Sequence, residues 1–151
     1  MRAVIQRVKT ASVTVNGAIV SEIGQGLCVL IGINQEDTEA DADFIAKKLT
    51  TLKLWPDSNG KDWKLNVKDA GFDILSVSQF TLYAQTSKGA KPDFHLAMKS
   101  ADSFPFYQAF LEKLRILHAA DKVKDGQFGA MMDVGLVNDG PVTILLDSRD
   151  K

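Results

Sequence analysis

A Gly-Pro pair near the carboxyl end, Gly140-Pro141, lies between two apolar runs, residues 131–137 and 142–146. Asp139 precedes this pair and forms an Asp-Gly pair with Gly140, which favours a tight turn because glycine accepts positive φ. Proline lacks an N–H, so it fits a position where a strand begins without donating to a neighbour. The sequence therefore predicts a hairpin turn between two closing strands. We call Asn138-Asp139-Gly140-Pro141-Val142-Thr143 the Gly-Pro segment.

The first half of the chain predicts a sheet with a buried central strand. Residues 4–15 are rich in valine and isoleucine, and Asn16-Gly17 is a strong hairpin signal before the returning residues 18–23. Residues 27–33 are apolar throughout, which is typical of a strand covered on both faces. Two further strands are predicted, one over residues 74–80 and a short edge strand over residues 63–67.

Two helices are predicted from their caps and apolar spacing. Acidic and capping residues at 37–41 introduce a helix over residues 38–51. Asp102 or Ser103 caps a second helix over residues 104–119. Its predicted inner face consists of Phe106, Phe110, Leu111, Leu114 and Leu117. Residues 84–100 are predicted to be a loop and residues 122–129 a linker. Mixed strands with two helices predict a single α+β domain over residues 1–151.

The net charge limits which partners the chain can bind through charge alone, and the cysteine content indicates the redox compartment. The formal net charge of −1 argues against broad, charge-driven binding to nucleic acid or membrane, although a local basic patch could still hold one end of a nucleic acid. Cys28 is the one cysteine and lies in an apolar run, which predicts a buried thiol in a reducing compartment. Met1-Arg2 leads directly into a strand pattern, so we expect no signal peptide and a cytoplasmic protein.

The usual side-chain machinery of catalysis is missing from the sequence. Gly24-x-Gly26 lacks the third glycine and the helix of a dinucleotide fingerprint, and there is no P-loop. His95 and His118 have no metal-ligand spacing, so neither a metal nor a cofactor is expected. His118 is predicted to be a surface residue at a helix end, and His95 is not favoured as a catalytic group.

A polar segment ends the predicted strand at residues 74–80. Ser78-Gln79-Phe80-Thr81-Leu82, which we call the SQFTL segment, places small and amide side chains where a core strand would continue apolar. This segment and the Gly-Pro segment resemble the two signature motifs of the D-aminoacyl-tRNA deacylase family. Three further blocks resemble that family, and the resemblance covers residues 1 to 146 in order: Gln6-Arg7-Val8, Ala11-Ser12-Val13-Thr14-Val15 and Phe128-Gly129-Ala130-Met131-Met132.

The resemblance implies a fold, a reaction and a set of site residues. The implied fold is a homodimer of subunits with a curved, barrel-like mixed sheet and flanking helices. The implied reaction is hydrolysis of the ester between a D-amino acid and the 3′-terminal adenosine of tRNA. The implied catalytic residues are Ser78, Gln79, Phe80 and Thr81. In the family, a cis Gly140-Pro141 peptide enters the other subunit's site with its carbonyls facing the α-amino group, and Arg7 braces it.

This scheme makes chemical sense without charged catalytic side chains. With the ammonium and ester both held, an L side chain would clash with protein while a D side chain would point outward. Glycine has no side chain to clash, so mischarged glycyl-tRNA(Ala) should also be cleaved. Backbone N–H groups near Phe80 and Thr81 could hold the oxyanion. The substrate's 2′-hydroxyl is favoured as the acid/base group over Thr81 as nucleophile, because nothing near Thr81 in sequence would activate it. If Thr81 is not functional, it is an ordinary strand residue.

Basic residues in the predicted loop are the candidate tRNA contacts. Lys88, Lys91 and Lys99 are the candidates for phosphate binding near the acceptor end. The chain has Lys91-Pro92-Asp93-Phe94 where the family commonly has Arg-Pro-Ser-Phe. Lysine keeps the charge but loses the bidentate fork, and Asp93 adds a negative charge beside it.

Two other functions remain open at this point. A non-catalytic dimer that binds an RNA end or a protein would use the Gly-Pro segment only as an interface turn. A small-ester or peptide hydrolase would use Thr81 and need no RNA.

Overall fold

A computed structural model describes residues 1–151. The chain forms six strands, three α-helices and two short 3-10 helices. The strands are β1 (Arg2–Val15), β2 (Ala18–Ile23), β3 (Gly26–Gly32), β4 (Asp73–Ser78), β5 (Val123–Asp125) and β6 (Asp133–Asp147). The α-helices are α1 (Glu39–Thr51), α2 (Val67–Ala70) and α3 (Ser100–Leu117), and the 3-10 helices are Phe80–Tyr83 and Ala120–Lys122. The predicted α+β class is confirmed.

The long strand β1 organises the mixed sheet. Its first half pairs with β3 and its second half with β2, while β6 runs antiparallel along its other side. β3 and β4 pair in parallel, as do β4 and β5, so the order is β2-β1-β3-β4-β5 with β6 on β1. The apolar strand β3 lies between β1 and β4, as its sequence predicts.

The core lies between the sheet and the two long helices. Ile45 and Leu49 of α1 and Leu111 and Leu114 of α3 are fully buried against it. Cys28 is buried as predicted, and burial raises the pKa of its thiol to about 11. The inner face of α3 is shifted from the prediction, because Tyr107 is fully buried while Leu117 is exposed. Tyr107 can be buried because its hydroxyl finds polar partners.

The predicted hairpin at the Gly-Pro segment is wrong. Both halves of β6 pair with β1 in the same antiparallel direction, so the chain does not reverse there. Gln6 pairs with Thr143 and Val8 with Asn138, so four residues, 139–142, are opposite Arg7 alone. The segment therefore forms an enlarged β-bulge within one continuous strand. A bulge accepts Pro141 for the reason that a turn would, since its residues need not donate to the ladder.

Several other boundaries differ from the sequence-based predictions. Residues 63–67 form no strand: Leu65 makes one isolated bridge to Trp55, and the Asn66 side chain caps α2. The strand predicted over 74–80 ends at Ser78, and the predicted linker at 122–129 contains β5. Helix α1 begins after Thr38 as predicted, but α3 begins at Ser100 and takes Pro105 inside it.

Candidate active site

The SQFTL segment leaves the sheet in a tight 3-10 turn. Ser78 is the last residue of β4 and pairs with Ile31, and the Gln79 N–H donates to the Ile31 carbonyl at 2.7 Å. The Leu82 N–H then donates to the Gln79 carbonyl at 3.3 Å, which closes the turn. Thr81 lies in this turn, so its interpretation as a strand residue is wrong. Its hydroxyl accepts a hydrogen bond from the Gln79 amide.

Glycine at position 32 lets the turn pack directly on the backbone of β3. A Cβ on Gly32 would lie 2.8 Å from the Leu82 Cβ and 3.3 Å from the Gln79 carbonyl oxygen. Both distances are too short for an ordinary side-chain contact. The position of the turn therefore depends on the absence of a side chain at this point.

Arg2 holds the turn from its other end, and no motif in the sequence marks this residue. Its Nη1 donates to the Leu82 carbonyl at 2.8 Å, its Nε donates to Asp147 Oδ2 at 3.0 Å, and its guanidinium lies 4.5 Å from the Tyr83 ring centroid. Partial burial raises the pKa of Asp147, but hydrogen bonds from the Arg149 N–H and from Arg2 outweigh it and lower that pKa overall. Arg2 thus joins the SQFTL turn to the end of β6.

A cleft of about 720 Å³ opens beside the turn. One wall carries Ser78, Gln79 and Phe80, and the Phe80 ring packs edge-on against Phe94 with centroids 5.1 Å apart. The other walls come from the start of α3, including Lys99, and from residues 128–134. Of the four predicted catalytic residues, Thr81 is the one that does not line this cleft.

The loop between the turn and α3 carries the predicted phosphate contacts. Lys99 lines the cleft and is the N-cap residue of α3, whereas Lys88 and Lys91 are exposed outside it. Asp93 accepts hydrogen bonds from the His95 N–H at 2.7 Å and its Nδ1 at 2.5 Å, and both lower its pKa. The Asp93 carboxylate, which lies close to Lys91 in sequence, is therefore hydrogen-bonded to His95.

A buried polar network supports the wall formed by residues 128–134. The Tyr107 hydroxyl lies 2.9 Å from Ser76 Oγ and donates to Asp125 Oδ1 at 2.8 Å. Burial raises the pKa of the Asp125 carboxyl above its usual range. The Phe128 ring, which lines the cleft, packs on Tyr107 with centroids 5.9 Å apart. The sequence pattern identified none of these three polar groups, because their pairing joins α3, β4 and β5.

The Gly-Pro segment protrudes from β6 and is held at its base. Its Gly140–Pro141 peptide is cis, and Gly140 has φ of 121°. Arg7 Nε donates to the Asp139 carbonyl at 3.3 Å, and Arg7 Nη1 donates to the Leu54 carbonyl at 2.6 Å. The Asn138 amide donates to the carbonyls of Arg7 and Val142, at 2.9 and 3.1 Å, and so closes the base of the bulge.

The two signature segments lie apart within one chain. The Gly-Pro segment lies opposite Arg7, which pairs with Leu27, whereas the SQFTL segment begins where Ser78 pairs with Ile31. Four residues along β3 correspond to about 13 Å. Gly140 and Pro141 are exposed and do not line the cleft.

The remaining candidate groups lie elsewhere. His118 is not the predicted surface residue: it is half-buried at the end of α3, and its Nε2 lies 2.7 Å from the Phe72 carbonyl oxygen. No cluster of three or more histidine, cysteine or acidic side chains could hold a metal ion. None of the helices is both long and apolar enough to cross a membrane.

Fold and cleft together define the class: a single α+β domain whose curved mixed sheet carries an open, aromatic-lined cleft at the end of a parallel strand. The profile of the D-Tyr-tRNA(Tyr) deacylase family matches residues 4–147. The D-aminoacyl-tRNA deacylase of Dictyostelium discoideum is 53% identical over 152 residues, covering 100% of both chains. D-aminoacyl-tRNA deacylase 1 of Homo sapiens is 50% identical over 148 residues, covering 98% of this chain and 70% of the human one.

Two solved structures share this fold. The structure named c-Myc DNA Unwinding Element Binding Protein superposes with a TM-score of 0.94 at 50% identity, covering 97% of this chain and 98% of the other. A probable eukaryotic D-amino acid tRNA deacylase superposes with a TM-score of 0.81 at 19% identity, which shows the shared fold. The chain belongs to the D-Tyr-tRNA(Tyr) deacylase family.

Proposed function

We propose that this protein is a hydrolase that cleaves the ester between a D-amino acid and the 3′-terminal adenosine of tRNA, releasing the amino acid and free tRNA. Family membership over residues 4–147 carries this proposal. The cleft suits the substrate, because it combines aromatic side chains with the backbone and amide groups of the SQFTL segment.

The active site is completed across a homodimer. Gly140 and Pro141 protrude from β6 and lie outside the cleft of their own chain, so a second subunit would have to bring them there. Apolar side chains near this strand are exposed and available for a subunit contact: Met131, Val137 and Leu145. In the dimer, Gly140 of the partner subunit and Pro141 of the partner subunit would enter the cleft with their carbonyls towards the substrate's ammonium.

Selection for the D configuration follows from main-chain contacts. Carbonyl oxygens accept hydrogen bonds from an ammonium without a charged side chain, and the SQFTL segment fixes the ester. An L side chain then meets protein, while a D side chain points outward. Glycyl-tRNA(Ala) has no such side chain and is cleaved as well.

Catalysis uses the backbone of the turn and the substrate's own 2′-hydroxyl. The N–H groups of Phe80 and Thr81 precede the first hydrogen bond of the 3-10 turn, so they are free to hold an oxyanion. The Thr81 hydroxyl is bound by the Gln79 amide and has no hydrogen bond to a carboxylate or imidazole. It therefore lacks the adjacent base that a threonine nucleophile needs.

Turnover of D-Tyr-tRNA against L-Tyr-tRNA tests the proposed function. We expect rapid release of D-tyrosine and little release of L-tyrosine. Equal cleavage of both substrates would contradict selection for the D configuration. Cleavage of neither would favour a non-catalytic binding dimer. Cleavage of simple esters without RNA would favour the Thr81 esterase.

The Thr81→Ala variant separates the two catalytic schemes. We expect it to keep substantial activity, because the substrate's hydroxyl performs the acid/base step. Replacing the terminal 2′-hydroxyl by hydrogen should instead abolish turnover while tRNA still binds. An inactive Thr81→Ala variant that folds normally would restore the nucleophile scheme.

A further inference from the structure

Trp63 is an aromatic side chain with no partner in the fold. Its side chain is 55% exposed, whereas the other tryptophan, Trp55, is 5% exposed and packs on Phe72. None of the aromatic or cation–π pairs in the chain includes Trp63. Its φ of 60° is unusual for a bulky residue, and such conformations cluster at ligand sites.

The loop that carries Trp63, residues 56–64, has a defined conformation. Asp57 Oδ1 accepts hydrogen bonds from the N–H groups of Asn59 and Lys61, at 2.9 and 3.0 Å. The Gly60 N–H donates to the Asp57 carbonyl at 3.0 Å, and the Lys64 N–H donates to the Trp55 carbonyl at 2.9 Å. The indole is therefore presented to solvent from an ordered loop, which lowers the entropy cost of binding to it.

Two lysines lie next to the indole in sequence. Lys61 and Lys64 are exposed before and after Trp63, the exposed Asp62 between Lys61 and Trp63 offsets one of their charges, and the Asp57 carboxylate accepts hydrogen bonds from backbone N–H groups. An aromatic face flanked by lysines is the combination that binds unpaired nucleotides: bases stack on the ring and phosphates contact the ammonium groups.

The Trp63 loop is joined to the Gly-Pro segment. Asp62 of the loop and Asp139 of the segment line the same pocket of about 520 Å³, together with Arg7. Arg7 also donates to the carbonyls of Leu54 and Asp139, so it connects the segment between α1 and the loop to the base of the bulge. The Trp63 loop therefore lies beside the base of the Gly-Pro segment.

We propose that Trp63, flanked by Lys61 and Lys64, is a stacking platform for the unpaired nucleotides that precede the terminal adenosine of tRNA bound in the partner subunit's cleft. This inference rests on the proposed function, since it needs the Gly-Pro segment to enter that cleft. It assigns a second RNA contact to the subunit that supplies the Gly-Pro segment.

Two substrates test the platform. D-Tyr-tRNA carries the unpaired nucleotides, and 3′-O-(D-tyrosyl)adenosine lacks them. For Trp63→Ala, the ratio of kcat/KM for the tRNA to kcat/KM for the aminoacyl-adenosine should fall at least about fivefold, mainly through KM, as expected for the loss of one stacked base. Trp63→Phe should recover most of the ratio, and Ile116→Ala, which removes a side chain 82% exposed on α3, should leave it unchanged.

Each failure has a different signature. An unchanged ratio in Trp63→Ala overturns the platform while the proposed function survives. A wild-type protein that cleaves neither substrate overturns the proposed function and the platform with it. Dissociation of the Trp63→Ala dimer in light scattering would make Trp63 a subunit contact instead. A CCA trinucleotide should quench tryptophan fluorescence in the wild type but not in Trp63→Phe, and equal quenching in both would also contradict the platform.

Discussion

At the scale of single residues, the position of the SQFTL turn depends on side chains that have no catalytic chemistry of their own. Arg2 contacts the Leu82 carbonyl, the Tyr83 ring and Asp147, and it thereby sets where the SQFTL turn lies relative to β6. Gly32 sets the distance between that turn and β3. Neither residue has the chemistry that a search for nucleophiles, bases or metal ligands would detect.

Arg2→Ala should therefore reduce activity more than stability. The side chain is about half exposed, so its ion pair with Asp147 contributes at most about 1 kcal/mol to folding. Loss of the hydrogen bond to Leu82 frees the turn, and we expect kcat on D-Tyr-tRNA to fall about tenfold with a smaller change in KM. Arg2→Lys should recover part of kcat, because it keeps the charge without the fork.

Arg115→Ala is the control for this change. Arg115 forms a comparable surface pair with Glu112 on α3 and makes no contact with the SQFTL turn. Kinetics and thermal unfolding of the three variants separate positioning from stability. Equal losses of kcat in Arg2→Ala and Arg115→Ala would show that Arg2 has no special role in the site.

At the scale of secondary-structure elements, a buried polar contact joins α3 to the parallel part of the sheet. The Tyr107 hydroxyl bridges Ser76 of β4 and Asp125 of β5, and Phe128 of the cleft wall packs on its ring. Hydrogen bonds as well as apolar packing therefore fix the position of α3 relative to β4 and β5.

Tyr107→Phe should destabilise the protein by about 1–3 kcal/mol, the cost of leaving buried polar partners unpaired. Urea unfolding at neutral pH measures the change. Tyr83→Phe provides a matched control, because the Tyr83 hydroxyl is buried without a hydrogen-bond partner. We expect that control to be neutral or slightly stabilising, and a similar loss in both variants would contradict the role assigned to the bridge.

At the scale of the whole molecule, the two signature segments of one chain point to different places. The cleft contains Ser78, Gln79 and Phe80 but not Gly140 or Pro141. A closed two-fold dimer would bring each Gly-Pro segment to the other subunit's cleft, and the same contact would occur twice.

Mixing two inactive variants tests this arrangement. Gly140→Ala places a Cβ 2.9 Å from Val142 Cγ2 and 3.2 Å from Arg7 Nη2, so it should disable the Gly-Pro segment. Gln79→Ala should disable the cleft. If the segments act across subunits, a refolded equimolar mixture should regain about one quarter of wild-type activity, because half the dimers are mixed and each mixed dimer has one intact site. No recovery in mixed dimers would mean that each site is built from one chain.

Local patterns predicted much of the fold. The Asn16-Gly17 hairpin, the Thr38 start of α1 and the buried strand β3 depend on turn chemistry, capping and continuous apolar residues, which act between near neighbours in the chain. The two signature segments are local too, so both were recognisable as motifs. The cis peptide within one of them is present in the structure.

Other features depend on contacts between residues far apart in sequence. The bulge at residues 139–142 exists because β1 is long enough to pair with both halves of β6, and no local pattern reports the length of a partner strand. The Arg2 contacts span 80 and 145 positions, and the buried Tyr107 bridge joins three elements. The two signature segments were thus recognisable from the sequence alone, because each is short and local. Only the tertiary structure decided that these segments lie apart within one chain, since that separation follows from how the strands pair and align.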